Sequence, residues 1–221
     1  MVKTQSGVLR TLEEQIVPDH TALVVVDVQN DFVHPEGFYG KQTGDLWETY
    51  PLIPRMLHNL PELLSLARST GSLIVYIQAI YDPQYLSPTQ TFVFERQGTY
   101  GTLCQSDTFG AELFHTIAPL QTPREIVVSK HRFSGFWGTD LGMVLRSNEI
   151  KTVMMTGTVT SGCVEATARD AMFNDFYVVT VEDCCADKVE QRQAIAMQTM
   201  EWACGFVVST QQVAEVWSRG D

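Results

Sequence analysis

A chain of 221 residues, 44% of them hydrophobic, can bury the core of one large α/β domain. Its formal net charge of −11 excludes a general binder of phosphate backbones, which needs a basic face. No apolar run approaches the ~20 residues of a membrane span, and residues 1–7 lack the apolar core of a signal peptide. A cytoplasmic protein forming a single domain over 1–221 is therefore expected. The five cysteines are odd in number and irregularly spaced, which argues against a disulfide framework.

Short apolar, β-branched runs predict strands at residues 22–26, 73–77, 126–128, 153–155, 176–181 and 206–208. Helical patterns fall between them. Ile53, Met56, Leu57, Leu60, Leu63, Leu64 and Ala67 recur at three and four residues, and Gly71 closes that helix. Residues 82–121 are the least regular stretch, rich in Pro, Gly and aromatics, and read as a lid or interface arm. Thr139 is expected to cap a helix carrying Leu141, Val144 and Leu145. A further helix begins at Cys163 and buries Val164, Thr167, Ala168, Ala171 and Met172. Cys184 and Cys185 read as two buried small hydrophobes at a strand end. Asp187 is expected to cap a long helix that Gly205 closes, and a last helix covers about 211–218. Strands alternating with helices imply a three-layer α-β-α sandwich, Rossmann-like, around a mostly parallel six-stranded sheet.

In such sheets the active site lies beyond the carboxyl ends of the strands. Three reactive residues stand there: Asp27 after the first strand, Lys130 after the third, and Cys163 after the fourth. Cys163 sits at a strand–turn–helix corner. Free N–H groups and the helix dipole there favour a thiolate and can hold an oxyanion. A thiol needs a base, which Asp27 supplies if burial raises its pKa, and Lys130 supplies balancing positive charge. Singly, each residue has an ordinary structural explanation as a loop cap or a solvated charge; together they form an ion network with shared protonation states.

Three blocks, in order, carry a resemblance. They are Val25-Val26-Asp27-Val28-Gln29-Asn30-Asp31-Phe32, then Lys130-His131-Arg132-Phe133-Ser134-Gly135-Phe136-Trp137-Gly138-Thr139-Asp140-Leu141, then residues 156–171. The chain resembles the isochorismatase-like cysteine hydrolases. The resemblance implies an Asp27–Lys130–Cys163 triad and a cis peptide between Thr158 and Val159. It also implies an oxyanion hole built from the N–H groups of Val159 and Cys163. The implied activity is hydrolysis of a small amide through a thioester, with ammonia released, by a homodimer or homotetramer.

The metal site of the nicotinamidase branch has the form Asp-x-His; here the stretch reads Asp45-Leu46-Trp47, and no His pair shows ligand spacing. No metal or cofactor is expected. Isochorismatase itself cleaves a vinyl ether without a cysteine nucleophile, which Cys163 disfavours. The stretches 130–136 and 81–85 look most like the ureide branch, acting on ureidoacrylate, biuret-like compounds and N-carbamoyl amino acids. Gln78-Ala79 departs from the Gln-Asn of ureidoacrylate hydrolases and leaves biuret or triuret open. Phe32, Gln78, Phe136, Trp137 and Thr160 are the candidate substrate-binding residues, with aromatic rings packing a planar urea-like group; Phe32 and Phe136 read equally well as core.

Three readings compete. A nucleotide-binding Rossmann protein should carry G-x-G-x-x-G after its first strand, where this chain has Val28-Gln29-Asn30-Asp31-Phe32. A thiol redox sensor would need Cys184 or Cys185 as a resolving partner. A non-catalytic scaffold would have no use for intact Asp27, Lys130 and Cys163.

Overall fold

The computed structural model describes residues 7–218. The ends of the domain expected over 1–221, including most of the stretch read as lacking a leader, lie outside the described residues. Six strands form one sheet: β1 (Thr21–Val26), β2 (Leu73–Ala79), β3 (Glu125–Lys130), β4 (Thr152–Thr158), β5 (Tyr177–Ala186) and β6 (Gly205–Val208). Their order is β3-β2-β1-β4-β5-β6, and every neighbouring pair is parallel.

Alternation along β1 builds two cores. Leu23 and Val25 face one layer, against Ile53, Met56, Leu60 and Leu63 of the Leu52–Ser69 helix and Val213 and Trp217 of the Thr210–Trp217 helix. Ala22, Val24 and Val26 face the other, against Leu141 and Leu145 of Leu141–Ser147, Ala168 and Ala171 of Glu165–Phe173, and Ala196 and Met200 of Glu190–Ala203. With both faces covered, the strands of a parallel sheet need no polar side. Among the described residues no helix is long and apolar enough to cross a membrane.

The order of the strands places the site. From central β1 the chain winds outward to β2 and β3, then returns to the other flank of β1 as β4. The connections leaving β1 and β4 diverge there and leave a crevice. Close approach of the two strands is secured at Gly157, which has φ +107°; a Cβ would lie 2.0 Å from the Val26 carbonyl oxygen. Only glycine fits such a contact at a positive φ.

Several local expectations changed. β5 runs on through Glu182 and Asp183 to Ala186, because past an irregularity in the β4–β5 ladder, whose extra residues lie in β5, Gly157 pairs with Cys185 and Thr158 with Ala186. The polar pair ends the apolar run in sequence but not the ladder. Asp140, not Thr139, is the N-cap of Leu141–Ser147; the Thr139 hydroxyl instead accepts the Leu141 N–H. Gly205 opens β6 rather than merely closing a helix; its missing Cβ lets it lie against the Val178 carbonyl. Within the 82–121 arm lies an unforeseen helix, Pro88–Gln97, capped by Ser87 and ended by left-handed Gly98. Phe94 is its one buried residue, so it shows no apolar stripe to read.

Candidate active site

Asp27 follows β1 with φ +51°, a left-handed conformation rare outside glycine and tolerated best by Asp and Asn. Its N–H donates to the Ile77 carbonyl at 2.9 Å. The Gln29 amide locks the neighbouring loop, accepting the Ala79 N–H and donating to the carbonyls of Ala79 and Ala111. Lys130, the last residue of β3, is fully buried. Its Nζ lies 2.6 Å from Asp27 Oδ2 and donates to Cys163 Sγ at 3.2 Å, Tyr81 Oη at 3.1 Å and the Arg132 carbonyl at 3.1 Å. The carboxylate, the ammonium and the sulfur, remote in sequence, thus share one crevice.

Burial governs their protonation. It pushes the Asp27 carboxyl above its ordinary range despite the opposing charge of Lys130. It pushes the Cys163 thiol up to about 12, with Lys130 opposing and the Asp27 charge adding. For Lys130 burial acts downward, but the negative charges of Asp27 and Cys163 prevail and its pKa ends above the usual lysine value. Burial therefore favours the neutral thiol over the thiolate. This corrects the expectation of a thiolate at a helix start. Cys163 lies inside a five-residue π-helical turn, Thr160–Val164, ahead of the Glu165–Phe173 helix, and desolvation outweighs any dipole. A carboxyl of raised pKa is a stronger base, which such a thiol requires.

The Thr160–Val164 turn is tied down by Asp187. One carboxylate oxygen accepts the N–H and the hydroxyl of Ser161, at 3.0 and 2.6 Å. The other accepts the Val189 N–H and pairs with Arg192 at 3.2 Å. Asp187 is not the helix cap expected of it: Val189 is the N-cap of Glu190–Ala203, and Asp187, two residues earlier, joins the Val189 N–H to the turn. The Thr158–Val159 peptide bond is cis.

A cavity of about 360 Å³ opens onto the sulfur. Phe32, Val159 and Cys163 line it, together with Tyr39, Tyr81, Phe94 and Phe133, and Lys188 and Arg192 bring positive charge to its wall. Burial lowers the Lys188 pKa to about 7, with the Arg192 charge adding and Asp187 opposing. Lys188 Nζ lies over the Tyr39 ring.

Other candidates lie elsewhere. Gln78 donates its amide to the Ala111 carbonyl and faces a separate groove with Ser106, Thr108 and Ser129. Phe136 packs into the core beside Phe176. Trp137 is 62% exposed and stacks under Arg132, away from the cavity. Thr160 is fully buried but forms no part of the wall. The reading from sequence missed Tyr81, Lys188 and Arg192. Tyr81 lies just past β2, so the strand-end rule that found Asp27 could have found it too. The Asp187 link ties Arg192 to the turn that carries Cys163. Asp45 accepts the N–H groups of Trp47 and Glu48, and among the described residues no group of three or more His, Cys, Asp or Glu is arranged to hold a metal ion.

Known proteins share this arrangement's fold and much of its sequence. The Isochorismatase domain model matches residues 21–212. Ureidoacrylate amidohydrolase RutB of Enterobacter sp. (strain 638) is 33% identical over 203 residues, 86% of each chain. The crystal structure of N-carbamoylsarcosine amidase from Thermoplasma acidophilum is 26% identical, with a TM-score of 0.69 over 86% of this chain and 96% of that one. A cysteine hydrolase from Pseudomonas syringae pv. phaseolicola 1448A has the same fold end to end, with a TM-score of 0.79 at 24% identity and complete coverage of both chains.

Proposed function

The chain belongs to the isochorismatase family, and we propose that it is a cysteine-dependent amidohydrolase cleaving a C–N bond of a small ureide or carbamoyl amide. One observation carries the reading: Lys130 Nζ lies against both the Asp27 carboxylate and the Cys163 sulfur, and Cys163 lines the cavity. The names of two relatives, a ureidoacrylate amidohydrolase and an N-carbamoylsarcosine amidase, support the substrate class.

In the first half-reaction Asp27 takes the Cys163 proton and the sulfur adds to the carbonyl carbon. The N–H groups of Val159 and Cys163 receive the oxyanion. The tetrahedral adduct collapses as Asp27 returns the proton to the leaving nitrogen, and ammonia departs. In the second half Asp27 deprotonates water, which adds to the thioester carbonyl; the acid product leaves and the thiol regains its proton. Lys130 keeps the combined negative charge of carboxylate and sulfur tolerable in a buried site.

The wall selects within the class. An ammonium and a guanidinium suit a carboxylate on the substrate. Ureido acids and N-carbamoyl amino acids are therefore favoured over neutral biuret or triuret. A homodimer or homotetramer acting in the cytoplasm completes the proposal; sedimentation tests the assembly.

Ammonia release is to be measured across ureidoacrylate, N-carbamoylsarcosine, maleamate, biuret, triuret and nicotinamide. The expected result is turnover of a carboxylate-bearing ureide that Cys163→Ala abolishes. Full activity in that variant would remove the nucleophile assignment, and exclusive turnover of biuret or triuret would remove the carboxylate preference.

A further inference from the structure

The buried centre holds a fourth polar group that the mechanism above does not use. Tyr81 is 2% exposed and lines the cavity. The arm fixes its backbone from both sides: its N–H donates to the Cys104 carbonyl, and its carbonyl accepts from Gln105 Nε2. Its ring packs edge-on against Phe94, 4.9 Å between centroids. Its hydroxyl is thereby held 3.1 Å from Lys130 Nζ and 3.7 Å from Cys163 Sγ.

Counting donors decides what the hydroxyl does. An ammonium has three N–H groups. Its three hydrogen-bond acceptors are the Arg132 carbonyl, Cys163 Sγ and Tyr81 Oη, while Asp27 meets it as an ion pair at 2.6 Å. Lys130 thus gives the sulfur one hydrogen bond, and the phenol accepts another from the same ammonium. The phenol has a single proton, and among the described residues Cys163 Sγ is the one acceptor within its reach. Because burial pushes the phenol's pKa well above its ordinary value, the proton stays on oxygen and remains available for donation.

We propose that Tyr81 is a further catalytic residue, whose O–H donates a hydrogen bond to the Cys163 sulfur and stabilises the thiolate formed when Asp27 removes the thiol proton. No proton leaves Tyr81 and no bond to it breaks. The bond is weak to a neutral thiol and strengthens as charge grows on sulfur, which is the differential interaction that raises kcat.

This inference rests on the proposed cysteine chemistry, and the test separates the two. Alkylation of Cys163 by iodoacetamide is followed against pH in the substrate-free protein, with Cys163→Ala giving the background from other thiols. Tyr81→Phe keeps the ring and deletes the donor. The variant is expected to raise the apparent thiol pKa, to slow alkylation at neutral pH by about 10- to 100-fold, and to lower kcat similarly, with KM within about twofold. An unchanged alkylation profile overturns the role, even if KM moves, because Tyr81 would then be wall alone. Wild-type alkylation no faster than the Cys163→Ala background overturns the nucleophile itself. Should Tyr81→Phe not fold, 3-fluorotyrosine at position 81 supplies a stronger donor of nearly equal size. It should lower the thiol pKa, and no change would overturn the proposal.

Discussion

Two ion pairs stand by one cavity and differ in their solvent. Lys130 and Asp27 are both wholly buried, 2.6 Å apart. Arg192 and Asp187 are 3.2 Å apart, but the arginine is 53% exposed. Water and salt screen the outer pair, and such pairs add little to stability. The inner pair is unscreened, and removing one partner strands the other. The proposed reaction places chemistry where charge is costly to change, and recognition where a charged side chain can meet an incoming anion.

The inner pair offers the largest expected effect. Lys130→Met should abolish ammonia release and lower unfolding free energy by about 3–5 kcal/mol in a denaturant titration, because the Asp27 carboxylate is left buried and unpaired. A stability loss below about 1 kcal/mol would place Lys130 on the same footing as an exposed charge.

Next comes pH. Asp27 must be ionised to accept the thiol proton, and its pKa is raised in the folded protein. Activity should therefore be complete on the alkaline side and fall as pH drops through an apparent pKa above the ordinary carboxylate range, a macroscopic value belonging to the coupled centre. An acid limb at or below pH 4 in the kcat/KM profile contradicts this assignment.

The outer cations should act on binding. For a carboxylate-bearing ureide, Lys188→Met should raise KM about 10- to 100-fold with kcat nearly unchanged, while a neutral ureide is unaffected. The wild type should lose affinity for the anionic substrate as pH rises through about 7, where Lys188 gives up its proton. Equal losses in kcat and kcat/KM would move Lys188 into the inner group. Arg192→Gln should follow the same pattern more weakly, since its guanidinium is largely solvated.

The smallest effect belongs to Trp137→Ala, which removes an exposed ring outside the cavity. Both kcat and KM should stay within about twofold. A tenfold loss would show that this surface meets the site in the working protein.

The strands were legible because each is a local run of apolar, β-branched residues, and the Leu52–Ser69 helix because its stripe has a helical period. The Pro88–Gln97 helix and the far half of β5 were not, since neither carries an apolar pattern of its own; the arm's helix buries only Phe94, and β5 is prolonged by pairing with β4. In the site, Asp27, Lys130 and Cys163 could be found from their places after strands. Of the pocket wall, Phe32, Val159 and Cys163 were legible, but most of the rest was not. Gln78 sits in the same strand as Ala79 but on the other face, and Phe136 and Trp137 lie in a loop whose course no periodicity sets.

By itself the sequence determined the alternation of strands and helices, the parallel sheet that such alternation demands, and the three reactive groups at its carboxyl edge. Those follow from local pattern and from connection rules acting on neighbouring elements. Tertiary structure alone decided that Tyr81 joins the sulfur, that Lys188 and Arg192 border the same cavity, and that burial favours the neutral form of Cys163. Contacts between distant segments and the withdrawal of water exist only once the layers have packed, and both the cavity walls and the pKa values depend on them.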